Sequence, residues 1–218
     1  TLLIGIPVGF ITFVNLPYPP IRRPIARTAP ILLMPSYISF DNHYRSAIDH
    51  VEQAKQLIDR ATAPADLELG QQKLRQAKTD LDKLPIWIAS EWSDVAGAFR
   101  RYGWHYSAAG FTGARSDVGR LEAKLFQEEN AQTALNQAEQ AITFAKQQYQ
   151  LAKTPGAQLA AINQWQGAID QLTQIPSETL AGRLAQPKLN AAQRDFEATA
   201  GVIAGDQQSI IEIQAAKG

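Results

Sequence analysis

Leu67, Gly70, Leu74, Ala77, Leu81 and Leu84 recur at alternating steps of three and four residues. A seam of that spacing lies along one face of a helix and has to be buried by a helical partner. It predicts a helix closed by Pro85 and paired antiparallel, most simply with the helix before it. That preceding helix is expected to start at a cap supplied by Asp41 or Asn42, because short polar side chains bind the free amides of a first turn. Its apolar positions are Tyr44, Ile48, Val51, Ala54, Ile58 and Ala61, and Ala63-Pro64 ends it. The small Gly70 and Ala77 would let the two backbones approach closely.

The same periodicity continues to the C-terminus. A proline-free stretch starting near Ser107 or Ser116 and ending at Lys153 carries Val118, Leu121 and Leu125, then Leu135, Ala138, Ile142, Ala145, Tyr149 and Ala152. Gln127-Glu128-Glu129-Asn130 interrupts its stripe. Read as one helix of about 40 residues, it would be about 60 Å long. It would then protrude, bridge two bundles or bind a partner along its side. Thr154-Pro155-Gly156 turns the chain into a helix bearing Ile162, Trp165, Ile169, Leu172 and Ile175, which Pro176 closes. Ser177 is expected to cap a further helix, kinked or restarted at Pro187 and stopped near Gly201. Asp206 is expected to cap a short last one. No strand-rich segment is evident, so the expected class is all-α, with antiparallel helical hairpins or a coiled-coil bundle and one long helix.

Two stretches of this body match each other. Ala47–Ala54 (AIDHVEQA) aligns with Ala134–Ala141 (ALNQAEQA). With a four-residue insertion, Pro64–Pro85 aligns with Pro155–Pro176, which sets Leu74 on Trp165, Ala77 on Ala168, Leu81 on Leu172 and Leu84 on Ile175. Residues 47–85 and 134–176 therefore read as duplicated units, each a helix, a Pro-containing turn and a helix ending in Leu-Pro or Ile-Pro.

The N-terminus differs in character. Residues 1–16 (TLLIGIPVGFITFVNL) hold no charge, and the first forty residues contain Arg22, Arg23 and Arg27 and no acidic residue. Residues 1–16 are expected to form a transmembrane anchor, although a full span takes about 20 apolar residues. A core helix or a signal segment are the rival readings, but no small-x-small cleavage site follows Leu16. Residues 17–40 are expected to form a juxtamembrane neck. In it Pro17, Pro19 and Pro20 around Tyr18 impose a polyproline-like spacer. Arg22, Arg23 and Arg27 then contact lipid headgroups, each attracted to anionic lipid by about 1 kcal/mol. Pro30–Phe40 is too short to span and is expected to lie in the interface or pack under the helical body, 41–218. These readings make the chain a single-pass membrane protein.

Composition excludes several functions. The chain of 218 residues has 21 basic and 21 acidic groups; residues 41–218 carry 18 and 21 of them. A weakly acidic body lacks the clustered Lys and Arg that displace counterions from nucleic acid. With no cysteine, disulfides, thiolate zinc sites and a cysteine nucleophile are out. His43 and His50 lie two helical turns apart, too far to share a metal unaided, and with His105 they read as surface histidines. No phosphate loop, nucleophile elbow or zinc helix is present. No catalytic residue, cofactor or metal site is therefore expected. Residues 85–111 hold Trp87, Trp92, Phe99, Tyr102, Trp104, Tyr106 and Phe111 around Arg100 and Arg101. This segment reads as a core plug, a partner interface through Trp87, Trp92, Arg100, Arg101 and Trp104, a membrane contact, or a ligand pocket.

Three stretches together carry a resemblance: LPYPPIRRPIARTAPILLMPSY (16–37), VGRLEAKLFQEENAQ (118–132) and AAINQWQGAIDQLTQIPSETLAGRLAQPKL (160–189). The chain resembles a group of cyanobacterial membrane-anchored, helix-rich proteins. The resemblance implies an N-terminal membrane segment, in the plasma or thylakoid membrane, and a helical-hairpin body, and it implies no catalytic residues. The expected function is a non-enzymatic scaffold, tether or accessory subunit of a membrane complex, binding lipid and either a protein partner or further copies of itself. The alternatives are a periplasmic adaptor-like component of an export system and a lipid- or small-ligand-binding helical protein.

Overall fold

Pro64 stands at the first turn of its helix, where a missing N–H costs nothing because no acceptor is available for it. Pro19 and Pro20, Pro30, Pro35 and Pro155 do the same elsewhere. The prolines thus set where helices begin. The computed structural model describes residues 9–16, 18–88 and 103–215, and the side chains of these except Pro19 and 202–215. The described elements are all helical: α1 (9–14), α2 (Pro19–Thr28), a 3-10 turn (Pro30–Leu33), α3 (Met34–Asp59), α4 (Pro64–Asp82), α5 (Ala108–Leu151), α6 (Pro155–Thr173) and α7 (Leu180–Ala215). The chain divides into two compact units, Thr1–Leu125 and Phe126–Gly218.

In unit 1, α3 packs along α4 through the expected seam. Gly70, Leu74, Ala77, Leu81 and Leu84 are buried against Tyr44, Ala47, Val51, Ala54 and Ile58. Phe111, Ala114, Val118, Leu121 and Leu125 of α5 complete the core. Unit 2 repeats the plan. Ala131, Leu135, Ala138, Ile142 and Ala145 of α5 meet Ile162, Trp165, Ala168, Ile169 and Leu172 of α6, and Ala181, Ala185, Leu189 and Ala192 of α7. Aligned turns carry the same backbone hydrogen bonds. Leu84 N donates to Leu81 O at 3.1 Å and Ile88 N to Pro85 O at 2.9 Å; at the aligned positions Ile175 N donates to Leu172 O at 3.4 Å and Thr179 N to Pro176 O at 3.1 Å. The long helix is continuous over 44 residues, and its two halves belong to the cores of the two units.

Several expectations need correction. The first body helix begins at Met34, because Pro35 is tolerated in a first turn; Asp41 is an interior residue and not a cap. Pro19–Thr28 is α-helical, not a polyproline spacer: Pro19 and Pro20 supply helical φ at its start and Pro24 is carried inside it. Leu180–Ala215 runs as one helix of 36 residues through Pro187 and Gly201, with no restart at Asp206. Its apolar stripe, buried on both sides of Pro187, favours continuity over a break there. Among the described residues no helix is long and apolar enough to cross a membrane. Half of the expected anchor, residues 1–8, lies outside them.

Candidate functional site

Two regions combine polar chemistry with a defined surround. The first is the N-terminal layer of unit 1. Val14, Ala26, Leu33 and Tyr37 are buried there. Asn15 ties the layer together: its Nδ2 donates to Ile11 O and Leu32 O, both at 2.8 Å, and its Oδ1 accepts from Ser36 N at 3.2 Å and from the Ser36 hydroxyl. Arg22 is fully buried, with its guanidinium 4.9 Å from the Trp87 ring centre, 5.5 Å from Tyr37 and 5.7 Å from Phe40. It donates to Ser36 Oγ at 3.1 Å and Asn15 O at 3.4 Å. Within this fold Arg22 therefore points into protein, not toward headgroups, because its flat cation fits between aromatic faces. Arg23 and Arg27 are exposed. So are Phe10, Ile11, Phe13, Leu16, Tyr18, Ile31 and Ile38, with 54% of Phe10, 53% of Phe13 and 64% of Ile31 accessible.

The aromatic residues singled out in 85–111 divide. Trp87 is half-buried against Phe40 and beneath Arg22, and Trp104 is half-buried, edge-on to Tyr37 at 6.1 Å. Both serve the packing of unit 1. Trp92, Arg100 and Arg101 lie outside the described residues. Tyr106 is buried beside Tyr44, and that burial, with the neighbouring Tyr44 phenol, pushes its hydroxyl up to about 12.

The second region is the face where α3 meets α4 in unit 1, and α5 meets α6 in unit 2, near the Pro-containing turn that follows the second helix of each pair. In unit 1, Asp80 of α4 sits between two histidines of α3: His43 Nδ1 is 3.2 Å from Oδ1 and His50 Nδ1 is 3.3 Å from Oδ2. Lys83 Nζ approaches Oδ1 at 3.3 Å. His43 and His50 are about a quarter to a third accessible and engaged with Asp80, and His105 is exposed. In unit 2 the aligned positions of His43, His50, Asp80 and Lys83 are Asn130, Gln137, Gln171 and Gln174. Every titratable group has a carboxamide counterpart. These four line a cleft of about 480 Å³ together with Ala131, Ala134, Ile175, Pro176, Gln127 and Glu178. Among the described residues no group of three His, Asp or Glu side chains is arranged to hold a metal ion.

Two acidic residues, read from the sequence as a helix cap (Asp41) and as a break in the apolar stripe (Glu128), instead accept backbone amides at the entry to a following helix. Asp41 Oδ1 accepts the amides of His105 at 2.7 Å and Tyr106 at 3.0 Å, just ahead of α5. Glu128, its counterpart in the alignment, accepts the first amide of α7, Leu180 N, at 2.8 Å. The signal was present in the sequence: both acids fall on otherwise apolar stripes. No protein-family model, curated protein or solved structure matches the chain.

Proposed function

We propose that the chain is a membrane-anchored, non-enzymatic scaffold or accessory subunit, held to a bilayer by its first forty residues. The observation that carries this is the exposure of Phe10, Ile11, Phe13, Leu16 and Tyr18 within a segment whose only charges are arginines. Exposed apolar residues this dense, rimmed by cations, mark an interaction surface. Interfacial burial of the aromatic and aliphatic side chains would supply affinity, and anionic headgroups facing Arg23 and Arg27 would add about 1 kcal/mol each. In this reading the exposed side chains of Phe10, Ile11, Phe13 and Leu16 enter the bilayer interface, while Val14 and Asn15 pack inward and Arg22 locks the layer to the helical body. The body then offers its helical faces to a protein partner; Phe126, Phe144, Leu151 and Leu159 of unit 2 are all more than half accessible.

Flotation of the full chain with vesicles tests it. The chain should rise with phosphatidylcholine vesicles, more completely when phosphatidylglycerol is added, and Phe10→Ser with Phe13→Ser should weaken both. A chain that stays at the bottom of the gradient with either composition would sink the reading.

A further inference from the structure

In unit 2 the outward face of α5 carries a second heptad seam. Phe126, Asn130, Thr133, Gln137, Gln140, Phe144, Gln147 and Leu151 recur at alternating steps of four and three, the spacing that lines one side of a helix for a helical partner. All eight are exposed, Phe126 and Leu151 to 64% and 72%. The stripe that builds the core of unit 2, from Ala131 to Ala145, lies on the other side of the helix. Unit 1 has no such seam: Ser39 and Leu57 stand at the aligned positions of Phe126 and Phe144.

None of the eight is charged. From Asn130 to Ala152 the only ionic residues are Glu139 and Lys146, and both are paired with α7, to Lys188 and Asp195. A helix face bathed in water ordinarily carries charge. Here an acidic or basic partner finds no opposite charge, and an anionic membrane finds no cation. The seam does fit itself. A carboxamide both donates and accepts, and the steps from Phe126 to Phe144 (four, three, four, three, four) read the same in both directions. A two-fold axis crossing α5 at the level of Leu135 sets Phe126 on Phe144 of a second copy, Asn130 on Gln140 and Thr133 on Gln137, each pair occurring twice. Aromatic then meets aromatic, amide meets amide and hydroxyl meets amide.

We infer that α5 pairs antiparallel with α5 of a second copy of this chain, through the seam from Phe126 to Phe144. This rests on the scaffold reading in naming the partner of the helical body, but its test leaves Phe10 and Phe13 unchanged, so loss of pairing and loss of vesicle binding are separate results. The chain has no cysteine, so single introduced thiols report position. Full-length Asn130→Cys and Gln140→Cys chains, in detergent micelles that cover the N-terminal apolar residues, are oxidised alone and as an equal mixture. In the antiparallel pair the two substituted positions meet across the axis. Like positions stand ten residues apart, about 15 Å along the helices, beyond the reach of a disulfide. The mixture should therefore give several-fold more disulfide-linked dimer than either chain alone. Adding Phe126→Glu and Phe144→Glu to both chains should abolish that linkage while the far-ultraviolet circular dichroism stays unchanged, because both rings are exposed. Phe126→Lys with Phe144→Glu should restore it, since the pairing sets opposite charges on each other. Equal linkage in each chain alone, no linkage in the mixture, or linkage that persists in the doubly acidic variant would each overturn the assignment.

Discussion

Gly70 lies against Ile58 so closely that a Cβ on it would fall 2.6 Å from Ile58 Cγ1. In unit 2 the aligned pair is Ala161 and Ala145, both buried. The same helix crossing is thus filled by glycine with isoleucine in one unit and by two alanines in the other.

Gly70→Ala should destabilise unit 1. Alanine favours a helix by roughly 1 kcal/mol, but the clash falls on a stiff β-branched side chain and overpacking costs about 1–3 kcal/mol. Ile58→Ala alone opens a cavity worth about 2–5 kcal/mol. The double variant recreates the alanine pair of unit 2 and should lose less than the sum of the two. Urea unfolding of the three variants checks this; strict additivity would mean that the two positions do not share the space.

Asp41→Ala strands the amides of His105 and Tyr106 and should cost about 2–3 kcal/mol, while Asp41→Asn, which keeps an acceptor, should cost less. Glu128→Ala should behave likewise at Leu180. Hydrogen exchange reads this locally: faster exchange at Tyr106 in the first variant and at Leu180 in the second is the expected result, and unchanged protection at either amide contradicts it.

Arg22→Lys preserves charge but replaces a flat cation lying against three rings with an ammonium that needs more hydration. A loss of about 1–2 kcal/mol is expected from the stacked contacts. Arg23→Lys, at an exposed position, should stay within about 0.5 kcal/mol of the parent. Thermal melts that rank the two substitutions in the opposite order would refute the internal role of Arg22.

Burial raises the Tyr106 hydroxyl from the ordinary 10.0 to about 12. An unfolded phenol ionises first, so the stability this group contributes is full below pH 10 and is lost as pH rises toward 12. Tyr106→Phe should flatten that part of the stability profile. Parallel pH titrations of stability for both chains would reveal it, and identical slopes between pH 10 and 12 would rule it out.

Local pattern carried the helical body far. The Leu67–Leu84 seam, the uninterrupted helix ending near Lys153 and the apolar stripe through Ile162, Trp165, Ile169 and Leu172 all describe features found in the structure. Each depends on periodicity, which a helix expresses residue by residue. The N-terminal layer was less legible. Proline-rich LPYPPIRRP reads equally as a spacer or as a helix start, since the same fixed φ suits both. Arg22 and Arg23 are neighbours of identical chemistry, and nothing in their order says that one is buried and the other exposed. The His43–Asp80–His50 cluster was missed because its carboxylate comes from the partner helix, and intrahelical spacing cannot see across a crossing.

By itself, the sequence determined helix phase and the turns at Pro64, Pro85, Pro155 and Pro176, because apolar spacing and proline sites act over a few residues. Only the tertiary structure decided which chemically equal residues face inward: Arg22 among aromatic rings, Asp41 and Glu128 on free amides, and four carboxamides around an open cleft where unit 1 has paired charges. Those assignments depend on what a neighbouring helix brings to the same point, through contacts between residues far apart in the chain.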